Sequence, residues 1–507
     1  MVLAYWGSVS NISSQKRVFT NLKSLKTTPE CSTRPRNCHI MNKITNFFND
    51  KEQRFNLLML IAFALISVFV VFHHEIWRDE AYVWVLCRDC GFFELWKNVA
   101  VEGHPPLWYI LVLPLAKSGL SVFSMQILAW FFAVLGAAFF VFKSPFNNFL
   151  KFTFLFSSGL LYWHAVIARS YSLFPLLVFL LAYLYPKSKD HPYLYGCVLA
   201  LAANTHVILF GFCAALLGVF VWDNVIKNSA QAKSKIPQII TACVVSVDFL
   251  LMGLFILIGK SHNICINDYV RPGFWTVFEK LSGGINGISA FAYILVIFLL
   301  WFSYVLYKEN KKLLFVFWAS FVYQFLIYKF IWGILPQRAF SLFLVVLFCL
   351  WVIFEKRTKM INYLQIVLAF IFLSSFLIGT KYVTQDLLYD FSGSKSTADY
   401  IKQQLGANTL IVTDDSETKA GIFAYSPGLR FWSLSAGKFY TTENWVQGKK
   451  EKNQSEFLEG NTYLVTTRIG IPVLPHNIKC VPVYSNPVKV IHENEDFVIC
   501  RLVGNKK

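Results

Sequence analysis

The sequence predicts an α-helical polytopic membrane protein of about eleven transmembrane helices, followed by a small α/β domain. Three observations carry this. Of 507 residues, 56% are hydrophobic and only 15% charged, against roughly 25% charged in soluble domains. Apolar runs long enough to cross a bilayer core recur along the chain. After about residue 380 the composition changes, and short strand-like and helical segments replace those runs.

The same arithmetic excludes other classes. A net charge of +18 in a soluble protein would point to nucleic acid. Here Lys and Arg crowd between apolar runs, which is how cytoplasmic ends of membrane helices look, so the partner is the bilayer. No Rossmann GxGxxG and no P-loop is present, and Gly283-Gly284-Ile285-Asn286-Gly287 reads as a loop signal. Cys197, Cys213, Cys243 and Cys349 lie in apolar runs as packing residues. Cys87 and Cys90 form a CxxC without the second pair a zinc site needs. A disulfide is open to that pair, and to Cys480 with Cys500, outside the cytoplasm.

Residues 1–50 are polar, basic and rich in Ser, Thr and Asn, with no cleavable h-region. They read as a disordered segment, and Met41 opens a more ordinary membrane-protein start. Residues 51–380 form the transmembrane domain. Its spans fall near 56–72, 125–142, 148–164, 170–185, 192–207, 208–223, 237–259, 285–306, 313–330, 337–354 and 361–379. With the N-terminus in the cytoplasm, the inner loops carry Lys143 and Lys151, Lys187 and Lys189, Lys227 to Lys235, Lys308 to Lys312, and Lys356 to Lys359. Every inner loop is basic, as the positive-inside rule requires. The first external loop, 73–124, and the domain 381–507 then lie outside the cytoplasm. Residues 107–116 are too short to span and read as an interfacial helix, with Trp84, Trp96, Trp108 and Tyr109 at headgroup level. The tail reads as helix over Thr397–Leu405 and strand over Asn408–Thr413, Tyr463–Thr467 and Phe497–Val503, with Asp414-Asp415 as a solvated turn.

Polar residues collect at the outer face under this topology. Arg78, Asp79 and Glu80 follow the first span, and His104 opens the Gly-His-Pro-Pro segment. Arg169 lies in an outer turn, Asn204 and His206 near an outer helix end, and His262, Asp268 and Arg271 in an outer loop. Lys329 and Arg338 flank the last external turn. Ionisable groups beside the membrane are costly and mark sites, although lysines and arginines also snorkel. A carboxylate there can take a proton from an acceptor hydroxyl. Cations can hold a departing phosphate or pyrophosphate. A lipid-phosphate donor reaches such a place laterally, which accounts for the missing nucleotide motifs.

Glu75-x-x-x-Asp79-Glu80 after the first span, Gly103-His-Pro-Pro-Leu-Trp-Tyr109, and Ala168-Arg-Ser-Tyr-Ser-Leu173 before another span together resemble bacterial members of the GT-C glycosyltransferase superfamily. That superfamily includes protein O-mannosyltransferases and lipid A aminoarabinose transferases. The resemblance covers 56–380 in architecture and 75–110 and 164–175 in motif. It implies transfer of a sugar from a polyprenyl-phosphate donor to a hydroxyl of a glycan, lipid or protein acceptor at the outer face of a bacterial inner membrane. It makes Asp79 the base, and Glu80 a group that orients the acceptor or ligates a divalent metal. His104 and Arg169 match polar positions lining the cavity. Lys329 and Arg338, then Arg271 and His206, are assigned to substrate by charge and side.

Two other readings stay open. A lipid or solute transporter or flippase would carry polar residues at the midplane and paired interrupted helices. A polysaccharide polymerase or ligase would place its key loop late in the chain.

Overall fold

The computed structural model describes residues 49–227, 235–260, 272–286, 291–331, 333–405, 409–413, 419–429, 431–434, 438–440, 462–469 and 478–504. The chain divides into two compact units, Met1–Arg54 and Phe55–Lys507. Of the first, only residues 49–54 are described. The segment 1–48, the His262, Asp268 and Arg271 positions, and Asp414-Asp415 lie outside the described residues.

Among the described residues nine helices are long and apolar enough to cross a membrane. They are Lys51–His73, Phe123–Lys143, Ser170–Lys187, Val207–Ile226, Ile236–Leu257, Phe291–Glu309, Lys311–Phe330, Pro336–Lys356 and Lys359–Leu388. Pro336–Lys356 is the most enclosed, with 83% of its apolar window buried. Its residues Ala339 to Leu350 are apolar on all sides apart from Ser341, which is what a central helix requires.

Three expected spans take a different form. The run 192–207 forms the twelve-residue helix Pro192–Ala203, because Asn204 and Thr205 bond back onto Ala200 and Ala202 and end it. The run 285–306 begins only at Phe291, and Gly283 to Asn286 are the last residues of the helix Phe274–Asn286 rather than a loop. The run 148–164 is broken into an α-helix, Asn148–Leu155, and a π-helical turn, Gly159–His164.

That break has a sequence cause. Ser157, Ser158 and Gly159 are weak helix formers. Backbone that leaves the helix within a membrane must find partners inside the protein. Ser375 of the last span supplies them: its Oγ accepts from Ser158 N–H at 3.2 Å and lies 2.7 Å from Ser158 Oγ. Glycine permits the approach. A Cβ on Gly379 would lie 3.1 Å from the Ser158 Cα, and one on Gly159 would sit 2.0 Å from the Phe340 ring. The break lets the chain reach Arg169 in extended conformation, φ −129° and ψ 169°.

The first external loop folds as three helices, Arg78–Asp89, Phe92–Glu102 and Leu107–Lys117. The tail carries a six-stranded sheet of order β3-β2-β1-β4-β6-β5. These strands are β1 Leu410–Thr413, β2 Phe431–Ser433, β3 Lys438–Tyr440, β4 Thr462–Thr467, β5 Ile478–Ser485 and β6 Phe497–Gly504. Strand β1 is parallel to β2 and β4, while β6 is antiparallel to β4 and β5. Cys480 and Cys500 are joined across β5 and β6, whereas Cys87 and Cys90 are buried and carry no disulfide. The tail sits on the first loop helix: Arg88 Nη1 donates to the carbonyls of Phe423 and Ala424, at the end of the helix Ala420–Tyr425, where a cation is favoured.

Candidate active site

The first turn of the helix Arg78–Asp89 is the centre of the site. Glu80 caps it, accepting from Trp77 N–H at 3.2 Å, and Arg78 N–H donates to Glu495 Oε1 of the tail at 2.9 Å. Carboxylates at a helix N-terminus satisfy its free N–H groups and its positive end. Asp79 lies between these two ties with its side chain one-quarter exposed.

Cations converge on Asp79. Arg78 Nε lies 3.3 Å from its Oδ1, and buried Arg169 donates through Nη1 to its backbone carbonyl. Burial works to raise the Asp79 carboxyl, but Arg169, then Arg78 and Arg338, outweigh it and hold it below its ordinary value. Asp79 is therefore ionised at neutral pH.

His104 stands beside Arg169. Its Nδ1–H donates to Glu102 O at 3.1 Å, and its Nε2 accepts from Arg169 Nη2 at 3.4 Å. Burial, then Arg169 and Arg338, push it down to about 3, so the ring is neutral and the tautomer follows from its partners. His206 packs edge-on against it at 5.3 Å between centroids. His206 caps the helix Val207–Val221 by accepting from Ile208 N–H through Nδ1. Its Nε2–H then faces the Tyr171 hydroxyl at 3.2 Å. Tyr171 also accepts from Arg338 Nε at 3.0 Å, and Arg338 Nη1 donates to Gly333 O at 3.0 Å. The structure thus brings together Asp79, Arg169, His104, His206 and Arg338. Lys329 Nζ donates to Pro272 O at 2.7 Å.

Glu80 takes a different place from its neighbour. It is fully buried. Its Oε1 accepts from Ala168 N–H, and its Oε2 lies 3.0 Å from His74 Nε2. His74 Nδ1 lies 2.8 Å from Asp386 Oδ2, which also accepts from the Tyr162 hydroxyl at 3.1 Å. Burial lowers His74, but Asp386 and Glu80 outweigh it and raise it to about 10. Both ring nitrogens donate, so His74 is an imidazolium. Among the described residues no three His, Cys, Asp or Glu side chains gather as metal ligands. The Glu80 oxygens accept from Trp77, Ala168 and His74.

Glu495 is a further buried carboxylate, in addition to Glu80 and Asp386. Besides Arg78 N–H, it meets Ser392 Oγ at 2.6 Å. Burial pushes it up to about 7, opposed by its bonds to Ser392 and to the Arg78 backbone. His492 stacks on Trp77 at 4.5 Å, bringing a second tail residue to this turn. His74, Asp386, Tyr171, Glu495 and His492 were not singled out from sequence. A polar residue at the edge of an apolar run was the available signal for His74 and Asp386.

Two openings are present, of which the first is lined by residues of the cluster. A small cleft is lined by His104, Pro105, Trp108, Tyr109, Arg169, Ser170 and Thr205, and the buried Trp108 Nε1–H has no partner among the described residues. An apolar groove of ≈ 360 Å³ lies between the helices Phe274–Asn286, Phe291–Glu309 and Lys311–Phe330, with Phe274, Phe278, Trp318, Phe321 and Phe325 among its lining.

No family model matches the chain, and no curated protein matches it. Solved structures do. ArnT from Cupriavidus metallidurans in the apo state matches with a TM-score of 0.54 at 10% identity, covering 88% of this chain and 97% of that chain. The same protein bound to undecaprenyl phosphate matches with a TM-score of 0.51, at the same identity and coverage. At this identity the likeness carries the fold. The chain has the fold of that protein, and nine of its described helices are long and apolar enough to cross a membrane.

Proposed function

We propose that this protein transfers a glycosyl group from a polyprenyl-phosphate donor to an acceptor hydroxyl, with Asp79 as general base. The observation that carries the reading is an ionised carboxylate at a helix start, faced by Arg169 and Arg338, in a fold shared with a protein solved with undecaprenyl phosphate. The acceptor oxygen attacks the anomeric carbon and its proton passes to the Asp79 carboxylate. The bond from that carbon to the phosphate oxygen breaks, with inversion. Polyprenyl phosphate leaves with the electron pair, its charge held by Arg169 and Arg338.

The electrostatics support this order of events. The arginines that depress the Asp79 carboxyl are the ones a donor phosphate neutralises. Donor binding therefore raises the basicity of Asp79 toward working pH, where a base acts best. The Trp108 N–H in the cleft suits a sugar hydroxyl, and the apolar groove suits part of an isoprenoid chain. The Cys480–Cys500 disulfide supports an extracytoplasmic tail, and the basic inner loops support a cytoplasmic N-terminus. Glu80 acts in this reading by positioning rather than by touching substrate.

The test is native mass spectrometry with undecaprenyl phosphate, alongside loss of label from radiolabelled undecaprenyl-phosphate aminoarabinose, mannose and glucose, with bacterial membrane lipid extract as acceptor. Wild type binds the lipid and consumes one donor. Asp79→Asn binds the lipid and consumes none. Arg169→Ala and Arg338→Ala lose the lipid. Full turnover by Asp79→Asn would refute the base, and equal lipid binding by all variants would refute the phosphate assignment.

A further inference from the structure

We propose that His74 and Asp386 are positioning residues, which with Glu80 form a buried ionic lock setting the base and the phosphate arginine in one geometry; the inference rests on the transfer reading above. Three side chains from separate parts of the chain meet with no exposure at all. His74 follows the first span, Glu80 belongs to the first turn of the loop helix, and Asp386 lies near the end of the last span.

What the lock holds is specific. Glu80 is the residue after Asp79, and its Oε2 bond to Trp77 N–H fixes the turn on which Asp79 sits. Its other oxygen accepts from Ala168 N–H, the residue before Arg169. One carboxylate therefore ties the base segment to the arginine segment, 88 residues apart in sequence. Glu80 alone would be free to turn between these donors. His74 removes that freedom by bonding Oε2 at 3.0 Å, and Asp386 removes the freedom of His74 by bonding its other nitrogen at 2.8 Å. Gln126 closes the arrangement by donating to the His74 carbonyl at 3.0 Å.

A charge set this deep is expensive to bury, and replacing such sets by apolar residues is often neutral or stabilising. Bulk stability is therefore a weak reason for it, and fixed geometry is the stronger one. Catalytic steps are steep in position: a misplacement of about 1 Å costs on the order of 100-fold in rate.

The test compares Asp386→Asn, Asp386→Glu, Tyr162→Phe and Asp79→Asn in the full-length protein, with two readouts. The first is donor consumption resolved into kcat and KM, using the labelled donor that wild type accepts, beside binding of undecaprenyl phosphate. The second is amide hydrogen exchange at residues 77–80 and 165–171. For Asp386→Asn we expect kcat to fall about 100-fold, with KM and lipid binding within about twofold. Exchange should quicken at both segments, although Ala168 is far from the mutated residue in sequence, and Asp386→Glu should recover most of kcat. Tyr162→Phe keeps every charge and removes only the hydroxyl that bonds Asp386, so it serves if Asp386→Asn does not fold. It should lower kcat by about 10-fold, the share of one hydrogen bond to a charged group. Folded variants with wild-type kcat, while Asp79→Asn is inactive, would overturn the lock and leave the transfer reading intact. Loss of kcat together with lipid binding, with exchange faster throughout the chain, would also overturn it. Full activity in Asp79→Asn would refute Asp79 as the base, no donor consumption by wild type would sink the transfer reading, and in both cases the exchange pattern would still report the lock.

Discussion

Glu495→Gln probes the seam between the tail and the catalytic turn. Glu495 is 3% exposed and its carboxyl rises from 4.5 to about 7. A raised acid favours the protonated native state, so its stabilisation is lost as pH rises from 4.5 through about 7. Each tenfold change in proton affinity is worth about 1.4 kcal/mol, so the ionised wild type carries a penalty of about 3 kcal/mol above pH 8. Glutamine copies the protonated form. Its carbonyl can accept from Arg78 N–H, and its amide can donate to Ser392 Oγ, whose hydrogen then goes to Ser394 Oγ, 2.7 Å away. Melting curves of both proteins in the same detergent should coincide near pH 5. The variant should melt higher as pH increases, by roughly 5 °C at pH 8.5. Taking the difference between the two proteins removes the other titrating groups. Curves that stay parallel from pH 5 to 9 would show that Glu495 does not titrate in this range, and the burial argument would be wrong.

Three other outcomes are expected. Asp79→Asn should reduce donor consumption at least 1,000-fold, about 4 kcal/mol of barrier, with undecaprenyl phosphate binding unchanged in native mass spectrometry. Tyr171→Phe takes away the hydroxyl that accepts from Arg338 Nε; affinity for undecaprenyl phosphate, titrated by the same method, should weaken about 10-fold, the worth of one bond to a charged group. Gly159→Ala puts a methyl group 2.0 Å from the Phe340 ring, and should lower stability by about 1–3 kcal/mol, read as an earlier melting transition.

The sequence was most informative where physics is one-dimensional. Long apolar runs identify spans, and Asp79, Arg169 and Arg338 stood out because charge beside a membrane is rare. Those three do converge. Lys329 carried the same signal and went to the Pro272 carbonyl, because composition reports that a cation is present and not what it bonds. At the break, Ser157 to Gly159 show weak helix formers in the sequence, but not the partner that lets the backbone leave the helix, which is Ser375 in another span. The lock was hidden for a similar reason: His74 and Asp386 are 312 residues apart. In the tail, the six- and eight-residue strands β4 and β6 were readable, while β2 and β3 have three residues each, too few for an alternation to show.

The ties on the catalytic turn also set a schedule for biogenesis. The turn itself leaves the ribosome early, but its fasteners come late. Asp386 follows His74 by 312 residues, and Glu495 follows Arg78 by 417. At about 5–20 residues per second of synthesis, the turn waits roughly 20–80 seconds for its last partner. A nascent or truncated chain can hold the spans and the arginines and still lack a finished centre. Completion of this turn is thus gated by synthesis past residue 495, where its last partner is made.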